Sequence, residues 1–181
     1  MKQLVLVALI FLTTNSAVAQ DQGSPWWVAI DAGESTNDEP RGFTTFDVYR
    51  LTIRKDFSKD IWTGERIRLG GFWEGSINYW NADDGDLYAA AIAPVFAFYF
   101  GSPSNKWQPY IEGAIGAAYI SETALAGRQF STNFQFENRL GIGLRGPRVD
   151  FHVRLLHYSN ADIDEPNNGM DSFVAGIAFR F

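Results

Sequence analysis

Apolar and polar residues alternate with a period of two along most of this chain, in segments that are separated by residues favouring turns. We count about eight such segments, each long enough to form a β-strand. Their predicted bounds are Trp26–Gly33, Phe46–Phe57, Ile67–Trp80, Leu87–Phe100, Gln108–Ser121, Phe130–Arg145, Arg148–Tyr158 and Asp171–Phe181. The pattern therefore predicts an all-β protein with antiparallel strands.

The two faces of a predicted strand differ strongly in chemistry. In the sixth segment Phe136 and Leu140 share one parity, whereas Glu137 and Arg139 share the other. In a small membrane barrel the apolar face would contact lipid, and the ionic face would fill the interior with paired charges. A secreted β-sandwich would instead bury the apolar face and expose the charges. The alternation alone does not separate these two architectures.

Three observations favour the membrane barrel. Tryptophan and tyrosine cluster near the segment ends, as they do at membrane interfaces. With a periplasmic N-terminus, the outer connections Glu34–Thr45 and Asn160–Met170 are long and Gly146-Pro147 is a minimal inner one. The inner connection Ser58–Arg66 is a long exception. The C-terminal Phe179-Arg180-Phe181 is similar to the aromatic signature that ends bacterial outer-membrane barrels. We therefore predict an eight-stranded antiparallel transmembrane β-barrel.

The N-terminus has the features of a secretory signal peptide. Lys2 precedes an apolar run from Leu4 to Leu12, which is far shorter than the roughly 20 residues of a spanning helix. Ala17-Val18-Ala19 follows as a cleavage site. We expect residues 1–19 to be the signal peptide and residues 20–181 to form a barrel in the bacterial outer membrane.

Composition and charge exclude several classes of function. The chain has no cysteine, so disulfides and thiolate metal sites are not available. A net charge of −6 argues against nucleic-acid binding. We interpret acidic outer segments such as Asp83-Asp84-Asp86 as solvated, and we predict neither a metal site nor a cofactor. A barrel of about eight strands has an interior filled by side chains, which disfavours a pore.

The candidate chemistry lies on the last two strands. His157 and Ser159 end a row whose first members are apolar, which places them on the lipid face at the outer rim, and Asp171 begins the lipid-facing row of the next strand. A serine hydroxyl needs an imidazole to accept its proton, and the imidazole needs an anion to orient it. Polar residues at the rim cost only about 0–1 kcal/mol, so a purely interfacial role stays open. His152 faces inward and is predicted to join the interior ionic packing.

The residues around this candidate triad resemble a known family. The motif His157-Tyr158-Ser159-Asn160, followed by Pro166-Asn167-Asn168-Gly169 and an acidic residue before Ser172, is similar to that of the lipid A 3-O-deacylases (PagL family). Members of this family are eight-stranded outer-membrane barrels. The resemblance implies that His157 is the general base and Ser159 the nucleophile. The third member is usually glutamate in the family, and this chain has Asp171 at the matching place.

The resemblance also implies the reaction and its substrate. Lipopolysaccharide in the outer leaflet would lose the ester-linked acyl chain at the 3-position of lipid A, through an acyl-enzyme on Ser159 that releases a 3-hydroxy fatty acid. Amide groups are suitable oxyanion donors, and Asn160, Asn167 and the backbone near Gly169 are the candidates. The candidates for the acyl-chain groove are Leu155, Phe173 and Phe136.

Two other functions stay open at this point. One is a non-enzymatic barrel with a structural or adhesive role, and the other is an outer-membrane phospholipase. The sequence also leaves open whether the protein forms a homodimer.

Overall fold

The computed structural model of the protein describes residues 24–36 and 42–181, so the expected signal peptide lies outside the described residues. The described chain contains eight long antiparallel strands, which we number β1 to β8. They are β1 Trp26–Ser35, β2 Phe46–Asp56, β3 Ile67–Ala82, β4 Gly85–Phe100, β5 Gln108–Ile120, β6 Phe134–Arg145, β7 Val149–Ser159 and β8 Met170–Arg180. Each strand agrees with its predicted segment to within a few residues. In these ranges, no helix is long and apolar enough to cross a membrane.

The sheet is closed. Each strand pairs with its neighbour in the chain, and β8 returns to pair with β1, with Trp27 opposite Arg180 near one rim and Ser35 opposite Ser172 near the other. Closure gives every barrel strand a hydrogen-bonded neighbour on both sides, which a lipid environment requires because it offers no alternative partners. The rim at which β7 ends and β8 begins is called the outer rim below.

The faces of the barrel are inverted relative to a soluble protein. On β2, Leu51 and Ile53 point outward and are 52% and 49% exposed, whereas Arg50 and Arg54 point inward and are 4% and 0% exposed. A sandwich would bury the apolar parity, so this arrangement confirms the predicted barrel and rejects the sandwich. The apolar outer wall is the surface that lipid contacts.

An ionic network fills the middle of the barrel. It contains the buried charged residues Arg50, Arg54, Arg139, Arg145, Arg154, Asp31, Glu74, Glu112, Glu137 and Asp150. Glu74 lies at its centre, where its oxygens accept hydrogen bonds from Arg50, Arg54 and Arg139 at 2.8, 2.8 and 2.6 Å. Paired side chains thus occupy the middle of the lumen, as is usual for a barrel of eight strands.

His152 belongs to this interior network, as the sequence predicts. Its Nδ1 lies 3.1 Å from Asp150 Oδ1, and its Nε2 contacts both Asp31 and Arg54. The ring is 3% exposed. His152 therefore faces the lumen, on the opposite side of β7 from the lipid-facing row of His157.

The outer end of the lumen is closed by an apolar cap, which corrects one predicted strand boundary. The sixth segment was expected to begin at Phe130, but β6 begins at Phe134, and residues 124–129 form a small hairpin of two short strands, Ala124–Leu125 and Arg128–Gln129. Phe130 is fully buried in the cap beside Trp80 and Tyr158. Continued from Phe130, the parity of β6 would have placed this ring on the lipid-facing wall with Phe134 and Phe136, but it packs in the core instead.

The acidic turn between β3 and β4 anchors the same hairpin. The Asp84 carboxylate accepts the backbone N–H groups of Ala126 and Gly127 at 2.9 and 3.1 Å. One of the carboxylates interpreted as solvated is thus a hydrogen-bond acceptor that fixes an outer loop. The loops at the outer rim form a connected layer above the barrel.

Candidate active site

His157 lies two residues before the outer end of β7, in the outward-facing row. Its direct partners in the sheet are Asp171 on β8 and Asn138 on β6. The side chains of His157 and Asp171 are 43% and 59% exposed. The sheet itself therefore positions the imidazole, because both neighbouring strands fix its height and its face.

The three predicted triad residues form one hydrogen-bonded chain. His157 Nδ1 lies 2.8 Å from Asp171 Oδ1, and His157 Nε2 lies 3.0 Å from Ser159 Oγ. With the proton on Nδ1, the imidazole donates to Asp171 and accepts the hydroxyl hydrogen bond of Ser159. This arrangement uses each ring nitrogen in the role that a serine hydrolase requires.

Asp171 reaches the imidazole even though it is shorter than a glutamate. The reason is the register of β7 and β8, in which Asp171 and His157 are directly opposite. Directly opposite residues in an antiparallel pair have Cβ atoms roughly 4.5–5.5 Å apart, which a carboxylate and an imidazole can bridge with a hydrogen bond. Backbone pairing thus supplies the proximity that a longer side chain would supply otherwise.

Asn160 holds the loop that follows Ser159. It is fully buried, and its Nδ2 donates to the carbonyl oxygens of Phe130 at 2.9 Å and Asp164 at 2.8 Å. Both side-chain N–H groups are therefore used, and its backbone N–H donates to Asn167 Oδ1. Among the two asparagines expected as oxyanion donors, Asn160 is a loop anchor, whereas Asn167 uses Nδ2 for one hydrogen bond, to Asp162.

A second set of contacts docks this loop onto the hairpin. Gln129 and Asn168 exchange two hydrogen bonds, from Gln129 N–H to Asn168 Oδ1 and from Asn168 N–H to Gln129 O. The Ser131 hydroxyl donates to the carbonyl oxygen of Pro166 at 2.8 Å. These contacts fix the backbone immediately before Gly169.

Gly169 packs against the imidazole. Its φ is +67°, and a Cβ at this position would lie 3.1 Å from His157 Cε1. A side chain would therefore impose both backbone strain and a close contact with the ring. The glycine allows the loop to cover one edge of His157 without displacing it.

Replacing Gly169 by alanine is expected to lower hydrolytic activity at least tenfold. Left-handed backbone costs a non-glycine residue roughly 1–2 kcal/mol, and a shift on the order of 1 Å in a catalytic group can cost about 100-fold in rate. Gly42→Ala is the matched control, because Gly42 has φ +77° and open space around the added Cβ. Equal activity of the two variants would contradict the contact with His157.

A cleft of about 490 Å³ opens on the lipid-facing wall beside the triad. Its outward-facing lining consists of Ile115, Asn138, Leu140, Leu155, His157 and Asp171. Of the residues expected to form an acyl groove, Leu155 lines the cleft. Phe136 is the sheet partner of Ser159, and Phe173 is the sheet partner of Leu155, so both lie beside it.

Two kinds of site residue were missed by the sequence reasoning. Ile115 and Leu140 look like any other lipid-facing residues, because nothing in an alternating pattern distinguishes a cleft from a flat wall. Asn138 did carry a signal, since it is an amide within the apolar row between Phe136 and Leu140. Within the described ranges, no group of three or more His, Asp or Glu residues is arranged to hold a metal ion.

Comparison with known proteins gives a consistent result. The family model described as lipid A 3-O-deacylase (PagL) matches residues 47–180. A protein named lipid A deacylase PagL from Pseudomonas aeruginosa is 34% identical over 179 residues, covering 96% of this chain and 95% of that protein. A protein of the same name from Bordetella bronchiseptica is 28% identical over 188 residues, covering 97% of this chain and 95% of that protein.

The fold comparison agrees with the sequence comparison. A crystal structure of the outer membrane enzyme PagL superposes with a TM-score of 0.77 at 28% identity, covering 86% of this chain and 99% of the other. Neisserial surface protein A, at 15% identity and a TM-score of 0.52, covers 89% of this chain and 100% of its own, and it shares the barrel fold alone.

Proposed function

The chain belongs to the lipid A 3-O-deacylase (PagL) family, and from this premise we propose that it hydrolyses the 3-position ester of lipid A with Ser159 as the nucleophile. The protein is an outer-membrane ester hydrolase built on an eight-stranded barrel. The observation that carries the catalytic part of the proposal is the hydrogen-bonded chain from Asp171 through His157 to Ser159.

The proposed reaction has two halves that use the same three residues. In the first, Ser159 Oγ attacks the ester carbonyl carbon while its proton passes to His157 Nε2, and the protonated imidazole then gives that proton to the departing sugar oxygen. The ester C–O bond breaks and an acyl-enzyme forms. In the second half, His157 takes a proton from water, the hydroxide attacks the acyl carbon, and the fatty acid leaves as Ser159 regains its proton. Asp171 stabilises the imidazolium in both halves.

The oxyanion of each tetrahedral intermediate needs hydrogen-bond donors on the side of Ser159 that faces the loop. In this proposal Asn167 and the backbone near Gly169 supply them. Asn160 acts on the site through the loop, because its side-chain N–H groups are engaged by backbone carbonyls. Preorganised donors of this kind stabilise the transition state because they require no reorientation during the reaction.

The position of the site fits a substrate that stays in its monolayer. Ser159 and His157 face lipid at the outer rim, where an ester bond near the headgroup can enter sideways. The cleft lined by Ile115, Leu140 and Leu155 runs along the lipid-facing wall from the triad towards the inner rim. It offers an apolar surface for the acyl chain. The triad comes from a single chain, so the proposed function does not require the homodimer that the sequence leaves open.

Mass spectrometry of lipid A is the direct test. Lipopolysaccharide incubated with the purified wild type should lose the mass of one 3-hydroxyacyl chain, whereas Ser159→Ala should leave every chain in place. Ser104→Ala, in an exposed connection at the inner rim, is the control and should behave like the wild type. Identical spectra for wild type and Ser159→Ala, with all chains retained, would support the non-enzymatic barrel. Faster release of fatty acid from phospholipid vesicles than from lipopolysaccharide would support the phospholipase.

A further inference from the structure

Asn138 is a polar residue in an otherwise apolar row of the outer wall beside the active site. Its row on β6 otherwise consists of Phe134, Phe136, Leu140, Ile142 and Leu144. The outward-facing row of the adjacent strand, β5, is also apolar at this height, where Ile115 is the direct partner of Asn138. A carboxamide in such surroundings is unfavourable unless it has a hydrogen-bond partner.

The protein does not supply that partner. Asn138 is half-buried, and among the described residues its side chain forms no hydrogen bond with a backbone or side-chain group. His157, its neighbour on β7, uses one ring nitrogen for Asp171 and the other for Ser159. The amide is therefore available to a ligand in the cleft.

The location of Asn138 specifies which part of a ligand it can meet. It lies directly opposite His157 in the sheet and lines the same cleft, two residue pairs closer to the outer rim than Leu140 and Leu155. Suppose that the carbonyl carbon of an acyl chain is held at Ser159 and that its tail runs along the outer wall over Leu155 towards the inner rim. The first few carbons of the chain then pass Asn138. Those carbons carry the only polar group of a 3-hydroxyacyl chain.

From this juxtaposition we propose that Asn138 recognises the 3-hydroxyl group of the scissile acyl chain and selects hydroxylated chains over plain ones. A hydroxyl both donates and accepts, and a carboxamide offers the complementary oxygen and N–H groups. The inference rests on the proposed function, because it requires the acyl chain to occupy the cleft beside Ser159. Asn138 is in this view a specificity residue that contacts substrate away from the reacting bond.

The experiment compares two esters that differ only in this hydroxyl. The p-nitrophenyl esters of (R)-3-hydroxytetradecanoic acid and of tetradecanoic acid are presented in detergent micelles to the wild type and to Asn138→Leu, which keeps the number and branching of the side-chain heavy atoms. The wild type should hydrolyse the hydroxylated ester faster. Asn138→Leu should lower the ratio of the two rates by about threefold to tenfold, which corresponds to the loss of one neutral hydrogen bond.

Two controls make the ratio interpretable. Asn81→Leu removes another outward-facing amide, on β3, and should leave the ratio at the wild-type value. Ser159→Ala should hydrolyse neither ester. Folding of each variant is checked by its electrophoretic mobility before and after heating, because a folded barrel migrates differently from an unfolded one.

Other results would overturn the inference. A wild type that hydrolyses both esters at the same rate would show that the hydroxyl is not recognised. An equal fall on both esters in Asn138→Leu would assign the amide to the oxyanion or to the fold. The proposed function is decided separately, by the loss of an acyl chain from lipopolysaccharide, so either idea can fail alone.

Discussion

Replacing His157 by alanine is expected to lower the rate of lipid A deacylation by about 10⁴-fold or more and to leave the barrel folded. Without the imidazole, Ser159 has no group to accept its proton, and the leaving sugar oxygen has no proton donor. Residues of a hydrolase triad act as one unit, so their effects are far from additive. The double variant His157→Ala with Ser159→Ala should therefore be no slower than the single variants.

The measurement is the rate at which 3-hydroxy fatty acid leaves lipopolysaccharide micelles, for both single variants, the double variant and a control. Ile77→Ala suits as the control, because it removes an outward-facing side chain from β3, on the opposite wall of the barrel. A double variant whose loss equals the product of the two single losses would mean that His157 and Ser159 act independently. The proposed mechanism would then be wrong.

Replacing Glu74 by alanine is expected to lower the free energy of unfolding by about 3–5 kcal/mol. Glu74 accepts hydrogen bonds from Arg50, Arg54 and Arg139, and Arg154 Nη1 lies 3.4 Å away. All of these groups are buried, so the variant leaves guanidinium charges in the lumen without their shared anion. Breaking a buried ion pair by removing one partner is more damaging than replacing the whole pair, because the remaining charge stays desolvated.

Urea unfolding in phospholipid vesicles, followed by tryptophan fluorescence, measures this loss. Glu122→Ala removes an exposed carboxylate from an outer loop and should change stability by no more than about 0.5 kcal/mol. If the two variants unfold at the same urea concentration, the lumen is hydrated enough to solvate the unpaired arginines. The ionic network would then contribute little to the stability of the barrel.

The barrel and the placement of the three candidate residues could be predicted because both depend on a period of two. That period placed His157 and Ser159 in the lipid-facing row and Glu137 and Arg139 in the lumen, and the structure agrees. The direct pairing of His157 with Asp171 was within reach as well, since a hairpin brings the residues that flank its loop together.

The loops at the outer rim could not be predicted in the same way. The contact of Asn160 with Phe130 joins residues 30 positions apart, and it depends on how two loops fold over an apolar cap. Alternation says nothing about such packing, so it predicts a strand at Phe130 and gives no sign that the Asn160 side chain binds backbone carbonyls of the loops. The significance of Gly169 likewise appears only when its backbone is seen against the His157 ring.

Because the triad faces the lipid, the substrate concentration that matters for this enzyme is the one within the leaflet. A site that opens sideways from the wall receives substrate by lateral diffusion within the leaflet, so its occupancy depends on the mole fraction of lipid A among its lipid neighbours. Under the proposed function, diluting lipopolysaccharide with an inert amphiphile should lower the rate even when the total amount in the tube is constant. Diluting the whole suspension with buffer should leave the rate per enzyme unchanged. The rate should therefore depend on the lipid composition of the leaflet, and not on the bulk concentration of lipopolysaccharide.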